Sequence, residues 1–146
     1  MNAPLNNYQD THTVIRTYFN DIWLSGPYQD IDLVWPNVDY NAGPNDYWVR
    51  FAINDGDGFV ATMGPSPIRR YLGIVSIQIF APQKLGDGEL RRMADFVSDA
   101  FINFKHPYLF FKTPTIRDIG YEQERWYQLN LVIEFERTST GEKTDE

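Results

Sequence analysis

Residues Tyr47–Pro82 read YWVRFAINDGDGFVATMGPSPIRRYLGIVSIQIFAP, and the middle of that stretch decides the fold. Its two ends alternate as strands do. In Tyr47–Asn54 the residues Tyr47, Val49, Phe51 and Ile53 oppose Trp48, Arg50 and Ala52, and in Arg70–Pro82 Val75, Ile77 and Ile79 oppose Ser76 and Gln78. Between them, Asn54–Arg70 opens with acids and glycines like a metal loop and closes on two arginines like an anion clamp. A calcium loop of the EF-hand kind needs a glycine at position six and a glutamate at twelve; counted from Asp55, those positions hold Val60 and Ser66. Asp-Gly pairs beside apolar residues instead signal a hairpin turn, because glycine supplies positive φ. The stretch therefore predicts a long hairpin with an arm at its tip.

The arm carries Phe59, Val60, Met63 and Ile68, which a free loop does not need. Left in water they are costly, and against a neighbouring molecule they are useful. Arg69 and Arg70 at the base of the arm have two readings. They can grip carboxylates of a second copy, or they can be strand-edge charges that discourage wrong pairing. These six residues are the candidate interface.

Outward from the hairpin, Val14, Ile15, Tyr18, Phe19, Ile22 and Trp23 recur at helical spacing. Thr11 or Thr13 is the expected cap, and Gly26-Pro27 the stop. IDLVWPNVDYNAGPND (31–46), broken by Pro36 and Gly43-Pro44, predicts an extended crossing without regular structure. After the hairpin, Leu90, Met93, Val97, Phe101 and Phe104 predict the buried stripe of a second helix, capped by Asp87. Arg91 and Asp95 on its outer face are spaced for an i,i+4 pair. An apolar run, YLFFKTPTIRDIG (108–120), predicts a further strand, with Tyr108–Phe111 read as buried. The closing strand RWYQLNLVIEF (125–135) points Tyr127, Leu129, Leu131, Ile133 and Phe135 to one face. The whole predicts an α+β fold: an antiparallel or mixed sheet of about four strands, covered by two helices. One domain spans residues 1–137, and 138–146 is a polar tail with no core to join.

Composition narrows the function. The net charge is −7, which disfavours an electrostatic grip on nucleic acid by the domain as a whole. There is no cysteine, so neither disulfides nor thiolate metal sites are available. No leader or membrane-spanning segment is read, so folding in a cytoplasm is expected. Aromatics make up 16% of the chain, a surplus that leans towards assembly. GDGELRR (86–92) lacks the third glycine of a dinucleotide fingerprint, and Asp87 would repel a pyrophosphate. FINFKHPYLFFK (101–112) interleaves aromatics and lysines as single-strand binders do, but its aromatics fit the core better. His12 and His106 lie far apart in the sequence, and no hydrolase, metalloprotease or phosphate-loop motif occurs. Neither catalytic residues nor cofactors nor metals are expected.

Three segments, VWPNVDYNAGPNDYWVRFAI (34–53), RRYLGIVSIQIFAPQKLGDGELRRMADFVSDAF (69–101) and WYQLNLVIEFE (126–136), together resemble the tail terminator proteins of long-tailed bacteriophages. The resemblance covers most of residues 8–137, with the proline-rich loop GPSPI (64–68) departing from it. It implies an α+β subunit of a hexameric ring without enzymatic activity. Such a ring sits in the virion on the tail tube, stops tube growth and offers a surface to neck or head-completion proteins. DNA passes through its lumen without specific binding, and acidic residues lining the bore would suit that passage. Another neck or minor tail component is the nearest alternative. A small ligand-binding or enzymatic α+β domain is the alternative from a different class.

Overall fold

The computed structural model describes residues 4–36, 38–40, 46–82, 88–122 and 126–140. The first helix, α1 (Tyr8–Ser25), buries Thr11, Ile15, Phe19 and Trp23. Its cap is Asn7, whose side-chain oxygen accepts from the Asp10 amide at 2.7 Å, and neither expected threonine fills that role. Thr11 lies inside the first turn, where its hydroxyl donates to the Asn7 carbonyl. The helix ends where expected, at Gly26, whose N–H bonds back to the Trp23 carbonyl.

The segment expected to cross without regular structure contains a short strand, β1 (Asp32–Val34), parallel to β2 (Trp48–Val60). β2 pairs antiparallel with β3 (Arg69–Pro82). The second helix, α2 (Gly88–Ile102), buries Leu90, Met93, Ala94, Val97, Ala100 and Phe101. Its expected cap, Asp87, lies outside the described residues. Phe104 falls beyond the helix and packs on the core from the following turn. The run after it forms two strands, β4 (Leu109–Phe111) and β5 (Thr115–Glu122). Both lie antiparallel on the same side of β6 (Trp126–Ser139), and the other side of β6 pairs with β3. The result is an α+β fold with two helices and a mixed six-stranded sheet.

One sheet face holds the core. Val49 and Phe51, Val75, Ile77 and Ile79, then Leu129, Leu131, Ile133 and Phe135 project towards both helices. Phe19 stacks between Phe51 and Phe101, tying α1 to sheet and α2. Each such large side chain, fully buried, is worth roughly 1.5–3 kcal/mol. The opposite face is covered at one end, where Val34, Trp48 and Phe80 cluster beneath Tyr40. Trp48 and Phe80 stack with centroids 4.0 Å apart. The Tyr40 hydroxyl donates to Asp32, and burial, followed by that carboxylate, pushes its pKa up to about 12.

Two further expectations change. Arg91 reaches Asp118 on β5 at 3.0 Å, while Arg92 pairs with Glu89 one turn away. And β6 enters the stretch read as a free tail: Ser139 is buried, the Thr138 amide donates to the Tyr108 carbonyl, and the Thr140 amide and the Ser139 hydroxyl both donate to Asn6 Oδ1. The remainder of the expected tail, 141–146, lies outside the described residues.

Candidate functional site

The Asp-Gly pairs do not make the turn. β2 runs through them, with Asp55 opposite Gly73 and Gly58 opposite Tyr71, so that Gly56 and Asp57 together span the place of the single residue Leu72 as a bulge. The chain reverses later, between Ala61 and Ile68. There the Ala61 and Thr62 amides donate to the Ile68 carbonyl at 2.7 and 3.3 Å, and the Ile68 amide donates to the Thr62 hydroxyl at 2.8 Å. Gly64 sits at φ 120°, where a side chain would be strained. Pro65 and Pro67 offer no amide for further pairing.

All six candidate residues lie on this distal hairpin. Phe59 pairs with Arg70 and Val60 with Arg69. Phe59 is 47% exposed, Val60 55% and Met63 97%, while Ile68 is half-buried. The two arginines do not form one clamp, because successive strand residues face opposite sides of the sheet. Arg70 shares the face of Phe59, away from the helices, and Arg69 shares that of Val60. Both are exposed, and neither has an ion-pair partner among the described residues. Neither is the strand-edge charge that was the other expectation, because β3 pairs with β2 on one side and with β6 on the other as far as Arg69.

The base of the arm is held by residues that the sequence reading missed. Arg137, only 2% exposed, lies over the rings of Tyr71 and Tyr8, 4.2 and 5.1 Å from their centroids. Its Nη1 donates to the Leu5 carbonyl at 2.8 Å. Burial lowers its pKa, with the nearby Tyr71, Tyr8 and Asp55 acting in the opposite direction. Beside it, His12 Nε2 on α1 meets the Asp55 carboxylate at 3.1 Å, joining the helix to the bulge. The signal was the strand period itself: the inward series 129, 131, 133, 135 continues to 137.

A hollow of about 300 Å³ lies by β4, between Phe101, Phe104, His106, Phe110 and Lys112. His106 Nδ1 accepts from the Tyr108 amide, and burial lowers its pKa. The stretch expected to be a buried strand buries Leu109 but leaves Phe110 63% exposed. Among the described residues, no group of three or more histidine, aspartate or glutamate side chains is placed to hold a metal ion, and no helix is long and apolar enough to cross a membrane.

Neither a protein-family model nor a curated protein matches the chain. Solved structures do match it. One of them, which carries no functional description, is 12% identical with a TM-score of 0.62, over 95% of this chain and 99% of its own. At that identity the likeness shows the fold alone.

Proposed function

We propose that this protein is a structural assembly subunit, a ring-forming tail terminator of a long-tailed bacteriophage that caps the tail tube and presents a surface to the neck. The observation that carries this reading is the apolar end of the hairpin. Phe59, Val60 and Met63 stand in water beyond the helix-covered core. Burying such side chains contributes roughly 1.5–3 kcal/mol each, before the costs of association. A closed ring needs heterologous contacts, in which one patch meets a different patch on the next copy, and the exposed apolar end of the hairpin supplies one half of such a contact. The sequence resemblance names the kind of ring. Its hexameric state, its tube and neck partners, its place in the virion and an acidic bore for DNA belong to the same proposal.

The experiment is a Phe59→Asp, Met63→Asp double variant compared with wild type by light scattering, and by electron microscopy of tail tubes. The wild type is expected to form rings and cap tubes of uniform length. The variant is expected to fold, remain dissociated and leave tubes overlong. A variant that assembles and caps normally removes the arm from the assembly role. Tubes of normal length in the protein's absence favour the neck or head-completion reading.

A further inference from the structure

We infer that the uncovered end of the sheet face opposite the helices, around Leu72 and Ile74, is the seat for the hairpin tip of a second copy; this rests on the ring reading above. Among the described residues, Tyr40 and its cluster cover the Trp48–Phe80 end of that face. At the other end Leu72 and Ile74 are exposed beside Phe110. Asn54, Asp57, Lys112 and Glu134 frame a groove of about 250 Å³ there, and Glu136 pairs directly with Leu72.

Charge selects the occupant. The protein carries a net −7, yet from Gly58 to Arg70 it has two arginines and no acid. The tip is thus a cationic, apolar projection on an acidic molecule. The groove has the complementary character: an apolar floor with Asp57, Glu134 and Glu136 around it, and Lys112 as the cation among its lining residues. Lys112 holds Glu134 by an exposed contact of 3.6 Å, a pair weak enough to exchange for an incoming arginine. Arg70 shares its face with Phe59, so one approach brings ring and guanidinium together. The turn between Ala61 and Ile68 cannot fill its own groove. Arg69 and Ile74 lie on one continuous strand, roughly 17 Å apart at about 3.3 Å per residue, with the turn farther still. The guest must come from another molecule.

The absence of native cysteine makes the test direct. Met63→Cys and Ile74→Cys variants are purified separately, mixed and oxidised. A disulfide-linked dimer of twice the 17.1 kDa chain mass is expected in the mixture and in neither variant alone. Ile102→Cys, exposed on α2, replaces Ile74→Cys as the control and is expected to give none. Arg70→Glu should weaken self-association about tenfold or more, as should Glu134→Arg. The two changes combined in one chain should restore it. If wild type assembles but the Met63→Cys and Ile74→Cys variants do not link and the charge swap does not rescue, the groove is not the seat, and self-assembly stands. If wild type forms no oligomer at any concentration or on tube ends, the ring reading falls and takes the groove with it.

Discussion

Arg137 and His106 illustrate how the state of a single side chain is set by its surroundings. Arg137 is a cation that the fold buries at the arm's base, where two aromatic faces and one carbonyl offset its lost hydration. His106 is neutral by arrangement. Its Nδ1 accepts from the Tyr108 amide, which a ring protonated at that atom cannot do, and burial holds its pKa below the ordinary 6.5. The unfolded chain takes up a proton near pH 6.5 that the folded chain resists until a lower pH. This contribution to stability is therefore complete above 6.5 and is lost as pH falls through the lowered value. Urea unfolding in mildly alkaline and mildly acidic buffer should show wild type losing more stability on acidification than His106→Asn, whose side-chain oxygen can accept the same bond without titrating. Equal losses would remove His106 as the cause.

The β2–β3 hairpin is where local and long-range information disagree. Alternation along Val75–Ile79 and Leu129–Phe135 reads directly as strands, and both series are buried as expected. Asp55-Gly56 and Asp57-Gly58 carry the strongest local turn signal, yet the ladder between β2 and β3 continues past them. Pairing of Phe59 and Val60 with Arg70 and Arg69 outweighs a turn that local propensity alone would allow. Gly73 has a reason that only the sheet reveals: a Cβ there would stand 2.3 Å from the Phe135 ring on the adjacent strand. Gly73→Ala should cost about 1–3 kcal/mol, since the ring is confined by the core and the strand cannot shift alone. Denaturant titration reads this, and a change under a few tenths of a kcal/mol would show that Phe135 has room to turn.

For the whole molecule, stability and assembly should separate. The core lies between the helices and one sheet face, while the tip touches little of it. Replacing Ala61–Ile68 with a two-residue Asn-Gly turn should keep the unfolding free energy within about 0.5 kcal/mol of wild type, as expected for exposed surface. The same variant should fail to self-associate in light scattering. A large loss of stability instead would make the tip part of the fold rather than a device for neighbours.

The chain's periodicities were enough to determine two helices, the long strands, the inward faces and a hairpin with an exposed apolar end, because 3.6- and 2-residue repeats are local records of burial. Tertiary structure decided the rest. β1 is short and gains its identity from lying parallel to Trp48–Arg50, and Asn7 became the cap because α1 begins before its apolar stripe. Arg69 and Arg70 parted because a strand sends neighbours to opposite faces. Arg137 was buried because Tyr8 and Tyr71, distant in sequence, close over it. Such outcomes depend on which segments meet, and a one-dimensional pattern of apolar residues does not encode the partner.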